Sequence, residues 1–191
     1  MKSKQSQKNY LSLMLKLLPI LLLIGAFFVP FASALKMIVH ASSGDVITIY
    51  SPAFSFLFTG KIFVNKVAYS SNNICIPSFL SYVFTGVNLI LLIAIIFLRK
   101  QNKILVDILA GLLVCFLLTA AILMFNCHKD AATVLAKAIT GKDSEAVANT
   151  LRKNTTLEFG FLGVSLFNLL SLGSLLVSLF FDKTFLKQFS R

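Results

Sequence analysis

Two ionisable side chains, Lys16 and Asp107, fall inside long apolar runs of this sequence. An ionisable group in hydrocarbon is costly, so it marks a pathway, a pair or an interface. Each stands about three to five residues from one end of its run, or roughly 5–8 Å at 1.5 Å per residue. From that depth a lysine can extend to the headgroups and a carboxylate can meet water or a cation. The expectation is an interfacial pair between Lys16 and Asp107. A proton or ion relay needs acids near the midplane, and the centres of the apolar runs hold none.

Two amides do fall near run centres, Asn88 and Asn168. An amide in hydrocarbon seeks a partner on another helix, worth roughly 0.6–2 kcal/mol. Helix packing is the expected role and substrate binding the alternative. Gly111, Cys115 and Thr119 recur every four residues, a small-residue stripe that would let a neighbouring helix approach closely. Asn168, Ser171, Ser174 and Ser178 share one helical face. Both faces read as packing seams rather than a pore lining.

The three cysteines, Cys75, Cys115 and Cys127, form no CxxC motif and show no metal-ligand spacing. Cys75 precedes the second apolar run and Cys127 follows the third, which places both at the same end of two consecutive helices. A disulfide between them is one reading, given an oxidising compartment; two unpaired interfacial thiols are the other. Cys115, in mid-run, takes no part. His40 and His128 do not complete a three- or four-ligand set around Cys127. No HExxH, GxSxG, Walker or intramembrane aspartate-pair signature is present, so neither an enzyme nor a cofactor is expected.

The elements that position these residues follow from composition. Of 191 residues, 57% are hydrophobic and 13% charged, with mean hydropathy +0.86. A soluble domain is roughly 45–50% apolar and about 25% charged. So few charges cannot cover a water-facing surface, which excludes a soluble globular enzyme, a disordered tail and a collagen-like repeat. A polytopic membrane protein remains. Four runs reach the roughly 20 residues a spanning helix needs: about 11–35, 79–98, 104–125 and 160–181. They leave outer loops at 36–78 and 126–159, within a single domain. The first run also has signal-peptide features, with Lys2, Lys4 and Lys8 before it and Ala32-Ser33-Ala34 at its end. Its apolar stretch from Leu17 to Leu35 exceeds the 7–15 residues usual for a signal core. A retained span is expected, with trimming at Ala34 as the alternative.

The net charge of +11 has a topological reading. Lys2, Lys4 and Lys8, then Arg99, Lys100 and Lys103, then Lys183, Lys187 and Arg191 flank the runs in short segments, against one acid, Asp182. The long loops carry eight basic residues diluted by five acids. The positive-inside rule puts both termini and the Arg99–Lys103 turn in the cytoplasm of a multi-pass cell-membrane protein. The bilayer, with its anionic lipid, is the expected partner of this charge; nucleic acid is not, since no basic–aromatic stripe occurs.

Val46–Tyr50 is rich in β-branched residues, and Phe54–Phe58 and Lys61–Val67 flank Thr59-Gly60, a hairpin pattern. The alternative for the apolar Phe54–Phe58 segment is a dip into the membrane interface. In the second loop, Ala131–Ile139 followed by Gly141 predicts a capped helix, and Ser144 predicts the N-cap of a shorter one. The expected fold is a mainly α membrane protein: a four-transmembrane-helix bundle with a small extracytoplasmic β hairpin or meander in the first outer loop.

This order of inside termini, β-rich first outer loop, short inner turn and smaller second loop resembles the claudin-like four-span layout. The sequence has no Trp, so it lacks the claudin loop signature, and no barrier or pore function is carried over. The chain also resembles small four-span membrane proteins of low-GC bacteria in composition and layout. The functional expectation is a non-enzymatic membrane protein whose outer loops bind a membrane or extracytoplasmic protein partner, or mediate lateral assembly. A small transporter, channel or holin-like subunit is the alternative.

Overall fold

A computed structural model describes residue 14 and residues 17–40, 46–64, 66–98 and 103–189. An apolar helix, α1 (Leu17–Phe31), ends in a 3-10 turn at Val29–Phe31. Strands β1 (Ser33–His40) and β2 (Val46–Pro52) follow, then a single helical turn α2 (Phe54–Leu57) and strands β3 (Gly60–Val64) and β4 (Val67–Ser71). Two long helices come next, α3 (Ile76–Leu98) and α4 (Lys103–Phe125). Helices α5 (His128–Thr140) and α6 (Glu145–Asn154), strand β5 (Thr155–Leu157) and a final helix α7 (Phe159–Phe189) complete the order.

Among the described residues, three helical stretches are long and apolar enough to cross a membrane: Ile76–Leu98, Ile104–Phe125 and Phe159–Ser178. Their length and apolar composition mark this as a membrane protein. The first run behaves differently from its expected 11–35 extent. Proline at position 30 removes a backbone donor, the helix tightens into its closing 3-10 turn, and β1 begins at Ser33. Leu35 is therefore a strand residue, and Ala34 lies within β1 rather than after a helix.

α3 and α4 run antiparallel, with Cys75 beside Cys127, Ser81 beside Ala120 and Phe84 beside Phe116. α7 packs against α4 through the Ser165 hydroxyl, which donates to the Ala121 carbonyl at 3.1 Å. α1 lies antiparallel to α7, with Val29 against Gly163, Gly25 against Phe167, and the Ser171 hydroxyl donating to the Pro19 carbonyl. It also touches α3, where Phe27 meets Tyr82 edge-on at 5.0 Å between ring centres.

The remaining strands form one antiparallel sheet in the order β4-β3-β2-β1-β5. β1 pairs with β2 from Ser33↔Pro52 to His40↔Val46, and its other edge takes β5 in register Leu35↔Leu157. The stretch 126–159 thus supplies a strand to a sheet expected from 36–78 alone. The hairpin is also displaced. Its strands are β3 and β4, closing at Val64↔Val67, where Lys66 takes a left-handed φ of 66°. Phe54–Leu57 is a helical turn because Ser55, Phe56 and Leu57 are all buried; a strand would send successive side chains to opposite faces. The Ser55 hydroxyl fixes this turn by donating to the Lys61 carbonyl at 3.0 Å. Phe56 and Leu57 enter the core rather than a membrane interface.

α5 and α6 lie over this layer. α5 ends at Gly141, whose φ of 71° is the left-handed cap expected of it, and Ser144 caps α6 by accepting from Val147 N–H. One apolar core joins the sheet layer, α5 and α6 to the adjoining ends of α4 and α7, including Phe56, Ile62, Met124, Leu135, Leu151, Phe161 and Val164.

Gly163 marks the closest approach of α7 to α1. A Cβ there would stand 2.6 Å from Val29 Cγ1, and the branched valine has little rotamer freedom to yield. Gly163→Ala is expected to destabilise the folded protein by about 1–3 kcal/mol through overpacking, with partial recovery in the Gly163→Ala/Val29→Ala pair. Gly111→Ala meets nothing within 4 Å and is expected to leave the thermal midpoint in detergent unchanged or slightly higher.

Candidate functional site

The buried polar residues of the helices converge on one seam. On α3, Ser78, Ser81, Thr85, Asn88 and Leu92 are buried, spacings of three and four residues that define one helical face. The Ser81 hydroxyl donates to the Ala120 carbonyl of α4 at 2.6 Å, and Thr85 donates to the Ser81 carbonyl at 2.9 Å. From α7, the Asn168 amide donates to Thr85 Oγ1 at 3.0 Å and to the Val164 carbonyl at 2.8 Å. Ser174 donates to the Ser171 carbonyl at 2.8 Å, while Ser178 is half-buried further along α7.

Asn88 and Asn168 are both fully buried between helices. Asn168 has its cross-helix partner. Both amide atoms of Asn88 and Oδ1 of Asn168 have no hydrogen-bond partner. A buried amide left unpaired costs about 1–3 kcal/mol, so Asn88 is the polar group in this seam that packing does not explain.

Gly111, Cys115 and Thr119 do not form the close-packed seam their spacing suggests. Gly111 and Cys115 are exposed, and the Thr119 hydroxyl donates back to the Cys115 carbonyl of its own helix at 2.8 Å. α4 instead packs through Leu113, Leu117, Ala120, Ala121 and Met124. Asp107 is exposed on α4, and Lys16 lies outside the described residues.

Where the long helices meet the sheet and α5, Cys75 and Cys127 come together. Both are buried, and both thiols are free. Cys75 Sγ lies 3.8 Å from the Cys127 carbonyl, to which it donates, and receives the Ser78 hydroxyl at 3.0 Å. Hydrogen bonding between the two thiols lowers the Cys75 pKa below the usual thiol value, against opposing burial, and raises that of Cys127. Cys115 is exposed, well away along α4.

A furrow of about 440 Å³ crosses α5 and α6, lined by Lys129, Thr133, Asp143, Glu145, Asn149 and Arg152 among others. Thr133 and Asp143 also line an adjoining hollow of about 190 Å³, which reaches Ile74 and Ile76 at the start of α3. The surface is of mixed charge, with apolar residues at one end.

Below the furrow, His128 Nε2 lies 2.8 Å from Thr155 Oγ1. The Thr155 hydroxyl spends its proton on the Leu151 carbonyl at 2.8 Å, so Nε2 carries the hydrogen in the His128–Thr155 contact. Sequence reasoning passed over this pair, and also over the hydroxyls of Ser78, Ser81, Thr85 and Ser165. The period of small polar residues on α3 was the available signal for the hydroxyls; nothing local links His128 to Thr155. No protein-family model and no curated protein sequence matches the chain.

Two predictions follow from these environments. Asn168→Leu removes the bond to Thr85 and is expected to cost about 1–2 kcal/mol, whereas Asn88→Leu removes only unpartnered atoms and is expected to be neutral or stabilising in thermal unfolding. Burial, followed by the nearby Arg152 charge, lowers the His128 pKa below 6.5. Above pH 6.5 the imidazole is neutral both folded and unfolded, so its contribution is complete. As pH falls through 6.5 the unfolded chain takes the proton first, and stability declines until the folded imidazole also protonates. Unfolding midpoints between pH 7.5 and 5 should show this decline, and His128→Gln should flatten it.

Proposed function

We propose that this chain is a four-span integral protein of the cell membrane that presents a folded outer module to a protein partner or for lateral assembly, a binding role rather than a catalytic one. In this reading α1 is the first span of a four-helix bundle. The apolar run from Leu11 to Phe31 meets the length a spanning helix requires. The contacts of α1 with both α3 and α7 support its place beside them. The basic flanks set both termini in the cytoplasm and the sheet outside.

The observation that carries the reading is the pairing of β5 with β1. It makes both outer loops one module with one core, and that module bears the furrow over α5 and α6 and the hollow beside it, which share Thr133 and Asp143 and reach Ile74 and Ile76, 40% and 66% exposed. An apolar patch beside charged residues of both signs is the anatomy of a protein-binding surface. The furrow's charges of both signs, Lys129 and Arg152 beside Asp143 and Glu145, favour a partner segment that sets complementary acidic and basic side chains beside apolar ones.

A second reading, a small transporter or channel subunit, is favoured by Asn88, whose buried amide would be satisfied by a polar solute or water in transit.

Affinity capture of the full chain from native membranes tests the first reading. A stoichiometric protein partner is expected, and Lys129→Glu/Arg152→Glu should weaken its retention by about 10-fold or more while leaving the fold intact. Selective solute flux in proteoliposomes, abolished by Asn88→Leu, would replace the first reading with the second.

A further inference from the structure

We propose that Cys75 and Cys127 are the two halves of a disulfide that locks the outer module onto the helices. Cys75 closes the segment that leads from β4 into α3, and Cys127 stands between α4 and α5. The antiparallel register of α3 and α4, fixed below them by the Ser81–Ala120 contact, brings these distant positions to the same level. The Cys75 side chain reaches the Cys127 backbone at 3.8 Å, and both residues are wholly buried in the core shared by the sheet, α5 and the long helices. Backbone contacts hold each in place: Cys75 N–H donates to the Phe56 carbonyl at 2.8 Å, and Ala131 N–H to the Cys127 carbonyl at 2.8 Å. A pair of thiols so placed differs from a lone buried cysteine, since each has the other as its hydrogen-bonded neighbour.

The chemistry needs a disulfide donor, supplied on the outer face by an oxidised thiol–disulfide oxidoreductase or a small-molecule disulfide. The Cys75 thiolate attacks one donor sulfur, breaking the donor S–S bond and releasing one donor thiolate. The Cys127 thiolate then attacks the Cys75 sulfur of the mixed disulfide, forming the Cys75–Cys127 bond and releasing the second donor thiolate. The two protein thiols are oxidised, the donor disulfide is reduced, and the two protons end on the donor thiols. Cys75 is suited to act first, because the Ser78 hydroxyl, three residues on in the chain, donates to its sulfur and favours the thiolate. Burial of both sulfurs places this exchange before the outer module closes, while the donor still has access.

The bond ties two positions far apart in the chain and adds to the contacts already joining the two outer loops. It rests on the outer placement of residues 36–78 and 126–159 argued above, so the test reads topology separately. Full-length protein in native membranes is denatured, alkylated with one mass tag, reduced and alkylated with a second. Cys75 and Cys127 should carry the second tag and Cys115 the first, with a cross-linked peptide joining Cys75 and Cys127 in the unreduced digest. Reduction should lower the thermal midpoint by roughly 5–15 °C, a shift absent from the Cys75→Ser/Cys127→Ser protein. In parallel, the Asn149→Cys variant of Cys115→Ser protein is treated with a membrane-impermeant maleimide. If that variant is labelled from outside and Cys75 and Cys127 still carry the first tag, the bridge is overturned while the topology stands. If it is shielded and both thiols carry the first tag, both are overturned. Pairing of either cysteine with Cys115 or with a second molecule would also overturn it.

Discussion

Helices bathed in hydrocarbon gain little from setting leucine against leucine, because lipid offers the same contact. What holds α3, α4 and α7 in one register is hydroxyl on carbonyl. Ser81 from α3 and Ser165 from α7 reach consecutive carbonyls of α4, those of Ala120 and Ala121. Alanine at these two positions lets both neighbours come close enough for a serine to bridge. The rest of the architecture depends on that register: it sets Cys75 against Cys127 and Asn168 against Thr85, and it leaves Asn88 enclosed without a partner.

The sheet layer with α5 and α6 is continuous with the long helices rather than tethered to them. Ala32 alone separates α1 from β1, and Glu158 alone separates β5 from α7. Phe56 in the outer turn and Phe161 at the start of α7 meet edge-on at 5.6 Å between ring centres. The furrow over α5 and α6 is therefore held at a fixed height above the long helices. Its residues come from the same stretch of chain that supplies β5.

The long elements were legible in the sequence because hydropathy and length report them directly: the runs at 79–98, 104–125 and 160–181 correspond to α3, α4 and α7. Caps at Gly141 and Ser144 were legible for an equally local reason, the backbone preferences of those residues. The rest was lost where local signals are degenerate. Phe-Ser-Phe-Leu-Phe alternates well enough for a strand, and only the burial of Ser55, Phe56 and Leu57 together shows the helical turn. Gly111 and Cys115 have the spacing of a seam, but spacing does not say which side of a helix faces its neighbours. The seam itself, Ser81, Thr85 and Asn88, carried the same period one helix earlier. Strand β5 is three residues long and its partner lies at the far end of the chain, beyond any local pattern.

That distant pairing imposes an order on synthesis. The meander of β2, β3 and β4 and the α3–α4 hairpin are made from neighbouring stretches of chain and are available to form as soon as they leave the ribosome. The outer edge of β1 must wait until Thr155–Leu157 has been made, after α3 and α4 have been delivered. Long-range closure of this kind is slow compared with local pairing. Until it happens β1 exposes an unpaired edge, open to capture by another extended chain. The nascent protein is thus most vulnerable to misassembly during the interval between translation of residues 40 and 155, and a chaperone that shields β1 would act in that window.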